Sequence, residues 1–161
     1  MPVSGLLKTT RTLLSFAVAS ALLAGCASIQ YGDKGVEGDL KKFMPVPGKT
    51  SLYVCRENAL LVAAGVSTGV LVDNENIGTV KPNTFVHAVV EPGKHDIQMK
   101  NDGLMSATGA RISVETRPDE LKFMWIGVTG GGWGTYTIDY FETEQEGMNC
   151  VTKATYSVTA R

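Results

Sequence analysis

His95-Asp96-Ile97-Gln98-Met99-Lys100 alternates without a break, with His95, Ile97 and Met99 on one side and Asp96, Gln98 and Lys100 on the other. A period of two puts successive side chains on opposite faces of a strand, so the segment predicts a β-strand with one buried face. Immediately before it, Glu91-Pro92-Gly93-Lys94 predicts a tight turn. Pro92 presets φ near about −65° and Gly93 tolerates positive φ. Thr84–Val90 leads into that turn as a second strand.

The same pattern extends both ways. Ser51–Arg56 is apolar on both faces, as a central strand would be. Val70–Asp73 and Ile77–Val80 flank Asn74-Glu75-Asn76, a hairpin signal. Downstream, Ala110, Ile112 and Val114 form the apolar side of one strand, and Leu121–Val128 is apolar on both faces. Tyr136, Ile138 and Tyr140 alternate with Thr135, Thr137 and Asp139, and Ala154, Tyr156 and Val158 alternate near the end. Short strands separated by turn residues predict an all-β domain, either an antiparallel β-sandwich of Ig- or transthyretin-like type or a partly open barrel. No long helix is expected. Ala59–Ala64 has helical propensity but is short, and no internal repeat exists.

The N-terminus reads differently. Lys8 and Arg11 precede an apolar run, Leu13–Ala24, that ends in Leu23-Ala24-Gly25-Cys26. The run is shorter than the roughly 20 apolar residues a bilayer span needs. Charge, short apolar core and small residues form a secretory signal. The Leu-Ala-Gly-Cys ending is a bacterial lipobox, which implies cleavage between Gly25 and Cys26 and lipidation (diacylglyceryl, then acyl) of Cys26. The alternative is an N-terminal core helix. Ala27, where an Asp would favour the inner membrane, favours the outer membrane, with the domain facing the periplasm. The expected divisions are residues 1–25 as signal peptide, 26–50 as lipidated N-terminus and flexible tether, and 51–161 as the sandwich. The Gly- and Pro-rich tether, with at most one helical turn at Gly38–Phe43, would lift the domain off the membrane.

Removing Lys8 and Arg11 from 15 basic residues leaves 13 against 16 acids, a net charge of −3. That excludes the basic footprint of a general nucleic-acid binder. Cys55 and Cys150 remain after lipidation of Cys26. In an oxidising compartment they suggest a disulfide closing a loop of about 95 residues between the first and last strands. Two separate buried thiols are the alternative.

Tyr53-Val54-x-Arg56-Glu57-Asn58, then Val70-x-Val72-Asp73 with Ile77-Gly78, then Glu91-Pro92-Gly93-Lys94-His95, form an ordered series. It resembles a bacterial lipoprotein family described as domain of unknown function 2846, and more distantly the small sandwich domains named for a Pro-Glu-Gly-Ala motif. The similarity spans Thr50–Val128. It implies a small β-sandwich on a lipid anchor, without an established activity. Cys55 and the tail from Tyr136 onward depart from the family pattern, and a Cys55–Cys150 bond would staple that tail to the core.

Candidate chemistry is sparse. His87 and His95, in successive strands across the Pro92-Gly93 turn, would face each other and with Asp96 or Glu91 make a partial metal site. Core packing is the plainer role for both, and no metal or cofactor is expected. Gly130-Gly131-Gly132-Trp133-Gly134 lacks the Lys-Ser/Thr of a phosphate loop and precedes a strand. It reads as a hairpin loop with an aromatic tip, which makes Trp133 and Tyr136 the candidate binding residues. Asp73–Asn76 lacks calcium-loop spacing, and Glu142–Glu146 reads as a solvated acidic loop. No nucleophile elbow or triad pattern is present. The expectation is a non-enzymatic interaction or structural module with envelope protein partners. The alternative is a small-ligand or glycan binder using a sheet edge and Trp133, with Trp125, Trp133 and Tyr136 converging on one face.

Overall fold

The computed structural model describes residues 29–57, 67–100, 110–129 and 135–159. Cys26, Ala59–Ala64 and Gly130–Gly134 with Trp133 therefore lie outside the described residues. Among the described residues ten strands form two sheets: β1 (Gln30–Tyr31), β2 (Thr50–Arg56), β3 (Thr68–Val72), β4 (Glu75–Val80), β5 (Thr84–Val90), β6 (Gly93–Lys100), β7 (Arg111–Thr116), β8 (Glu120–Thr129), β9 (Thr135–Tyr140) and β10 (Thr155–Val158). The first sheet runs β1-β10-β5-β2-β8-β9 and the second β4-β3-β6-β7. The architecture is a β-sandwich, not closed into a barrel.

The sheets are not purely antiparallel, as the sequence suggested. β2 pairs β8 in parallel, and so does β10 with β5. A parallel neighbour needs a long crossover, which hydrophobic periodicity does not reveal.

Alternation assigns the core. Leu52, Val54, Val86, Met124, Ile126, Tyr136 and Ile138 face Val70, Val72, Val80, Ile97, Met99 and Val114 across the sandwich. On the other face of the first sheet, Tyr53, Cys55, Phe85 and Phe123 pack against Cys150, Val151 and Ala154. That second layer explains why β2 and β8 are apolar on both sides.

Two helices build much of the second layer. α1 (Lys34–Leu40) is capped by Asp33, whose carboxylate accepts from the amides of Gly35 and Val36. α2 (Glu144–Lys153) opens on a capping box, with Thr143 and Glu146 each accepting from the other's backbone amide. Both overturn expectations. The acidic stretch Glu142–Glu146 starts a helix instead of forming a solvated loop, and Cys150 sits in α2, not at the start of the last strand. Nor is the segment before Thr50 wholly a tether. β1 pairs with β10 through Gln30↔Val158 and Tyr31↔Ser157, and Leu40 and Phe43 pack into the second layer.

The expected disulfide is present, with Cα atoms of Cys55 and Cys150 6.3 Å apart. It ties β2 to α2.

Candidate functional site

The β3–β4 hairpin turns on Asp73 and Asn74, both at positive φ (52° and 71°). Two successive left-handed residues make the type I′ turn that suits strand twist, and Asp and Asn tolerate that conformation. The turn lies one residue earlier than the sequence suggested. Gly78 on β4 is the next constraint. Its φ is +151°, and a Cβ there would lie 2.6 Å from Val86 Cγ1 and 3.2 Å from the carbonyl oxygen of Ser157. Only glycine lets β4, β5 and β10 come this close.

That approach diverts the last strand. β10 pairs β5 only at Thr155↔Thr84 and Tyr156↔Phe85. It then crosses to the other sheet, where Ser157 Oγ donates to the carbonyl of Thr79 and Thr159 Oγ1 to that of Asn76 (2.9 Å). From Val86 onward β5 keeps β2 on one side and, among the described residues, has no ladder partner on the other. The carbonyl of Asn83 accepts from the amide of Thr155 at 2.9 Å. Backbone groups of a strand alternate in direction, so the odd-numbered residues of β5 point toward β10. The N–H and C=O groups of His87 and Val89 thus point to the open side.

A groove of about 360 Å³ runs along this edge, lined by Val72, Asp73, Glu75, Asn76, Ile77 and residues 87–90. Val72, Ile77, Ala88 and Val90 supply apolar lining, and Asp73, Glu75 and Asn76 of the hairpin supply polar lining. Val89 is 47% exposed. Natural sheets usually blunt an open edge with Lys or Pro, and His87-Ala88-Val89-Val90 carries neither.

Beneath the hairpin, His95 Nδ1 lies 2.6 Å from Asp73 Oδ2 and Nε2 lies 2.7 Å from the carbonyl oxygen of Glu91. The second Asp73 oxygen accepts from the Asp96 amide at 2.9 Å. Burial works to lower the His95 pKa, but the bonds to Asp73 and Glu91 and the Asp73 charge carry it above its ordinary value. Asp73 is held below the usual carboxylate range by its bonds to His95 and Asp96. Arg111 holds Asp96 at 2.5 Å, and Lys49 pairs with Glu91.

Several expected sites disperse. His87 and His95 do not face each other, because Pro92-Gly93 is a corner between sheets: β5 belongs to the first and β6 to the second. His87 instead packs at a tilt against Tyr53, with ring centroids 4.6 Å apart, and burial pushes its pKa down to about 4. Among the described residues no three His, Cys, Asp or Glu side chains gather to hold a metal. Tyr136 is not a surface binding residue; it is 5% exposed and lies inside the sandwich. Trp125 is on the opposite face of the sheet, its Nε1 donating to the carbonyl of Tyr140 at 3.0 Å. Trp125 and Tyr136 therefore cannot share one platform. The β5 edge was not visible in the sequence.

The scan against protein-family models finds no match, and searches of the curated proteins and of the solved structures find none either.

Proposed function

We propose that this protein is a lipid-anchored lipoprotein of the bacterial envelope that acts as a non-enzymatic interaction module. Its docking element is the open half of β5, which takes an extended segment of an envelope protein as an added strand. The carrying observation is the backbone of His87 and Val89, directed at the open side beside a groove of mixed apolar and polar lining. Strand addition draws affinity from such main-chain bonds and specificity from pockets for alternate side chains. The Leu23–Cys26 lipobox supports the anchor, and the Cys55–Cys150 bond fits an oxidising compartment. The Glu75 carboxylate at the groove favours a partner segment with a basic side chain.

A photo-crosslinking amino acid at position 89, introduced in cells, tests this. The expected result is a discrete crosslinked envelope protein which, once purified, slows amide exchange at His87 and Val89. Val89→Lys should remove that protection and leave the fold intact, since Val89 is exposed. Protection of other strands with these two amides unaffected defeats the proposed docking edge.

A further inference from the structure

β1 begins only four residues after Cys26. A chain extends at most ~3.6 Å per residue, so Tyr31 lies within about 18 Å of a lipidated Cys26. The expected tether is thus mostly folded onto the domain. β1 is also one edge of the first sheet, and β9 is the opposite edge. An anchor at β1 therefore directs one side of the sandwich toward the bilayer. Tyr31 on β1 is 49% exposed, and Val36 on α1, the helix that follows β1, is 47% exposed. Lys81 Nζ lies 5.0 Å from the centre of the Tyr31 ring, and Lys34 is the first residue of α1. Tyrosine and lysine suit a membrane interface: the ring or stem lies against the lipid while the polar tip stays hydrated. Basic groups within a Debye length of anionic headgroups are attracted to them.

We infer that the β1 edge and the adjoining face of α1 rest on the lipid surface, with the β9 edge pointing away. The inference rests on lipidation of Cys26 and adds an orientation to it. Hydroxyl-radical footprinting of the mature lipidated protein on vesicles of phosphatidylethanolamine and phosphatidylglycerol tests it. Tyr140 on β9, 38% exposed, serves as the internal reference. The expected result is Tyr31 and Val36 labelled several-fold less than in a form with a long Gly-Ser spacer inserted after Ala27, and Tyr140 labelled equally in both. Equal labelling of Tyr31 with and without the spacer overturns the orientation, as does protection of Tyr140. Intact mass separates the two failures: a bound protein without acyl mass on Cys26 removes the anchor itself, and the orientation with it.

Discussion

His95 donates to Asp73 across 2.6 Å while its other ring nitrogen meets the Glu91 carbonyl. A carboxylate and a carbonyl only accept, so the two contacts favour the doubly protonated ring. The folded pKa is raised above about 6.5. The stabilisation is complete below that pH and is lost as pH rises through the folded pKa. An NMR titration should find His95 titrating above its ordinary value. Asp73→Asn should return it toward that value, since Asn keeps the left-handed turn and removes the charge. A wild-type value at or below the ordinary one rules out the clamp.

His87 works in the opposite direction. Burial against Tyr53 depresses its pKa to about 4. The neutral ring is accommodated above its unfolded pKa of about 6.5, and that stability declines as pH falls toward 4. His87→Phe should raise the melting temperature at pH 5 more than at pH 8. An equal shift at both would show that His87 does not contribute to acid sensitivity.

Two helical glycines should respond oppositely to alanine. Gly38 on α1 has open space where a Cβ would go. Gly38→Ala should stabilise by about 0.5–1 kcal/mol, the helix-propensity difference. Gly147 on α2 lies against Phe123, and a Cβ would collide with the Phe123 Cβ and ring. Overpacking typically costs about 1–3 kcal/mol, which outweighs the propensity gain. Chemical denaturation of both variants checks the signs; a stabilised Gly147→Ala protein would show that α2 sits loosely on β8.

Reduction should weaken the attachment of α2. For a loop of 95 residues, chain entropy gives roughly 4–5 kcal/mol, an upper figure that measured bridges often miss. Melting with and without reductant, and for Cys55→Ala/Cys150→Ala, should show the loss. Limited proteolysis of the reduced protein should cut first around α2. An unchanged melting temperature would mean that packing of Val151 and Ala154 alone holds the helix.

Much of the fold was legible because strands announce themselves locally. Thr84–Val90 and the alternation through Met99 needed no tertiary information. α2 was missed although Thr143-x-x-Glu146 is a capping-box signal, because Glu142–Glu146 was weighed as charge and not as a helix start. Tyr136 alternates with Ile138 on one strand face, and that pattern already pointed inward. Sheet membership was not legible. Pro92-Gly93 looks the same in sequence whether it closes a hairpin or turns a corner, so the separation of His87 from His95 and the open β5 edge appear only in three dimensions.

Pairing of Gln30 with Val158 joins nearly the first described residue to nearly the last. The other neighbour of β10 is β5, and the parallel partner of β2 is β8. Contacts so distant in sequence form late and slow folding. A chain delivered N-terminus first can close its β3–β4 and β6–β7 hairpins early. The first sheet stays incomplete until Val158 arrives. Until then β5 exposes its full length as an unpaired edge, the period when such a chain is most open to capture by a chaperone or by another copy of itself.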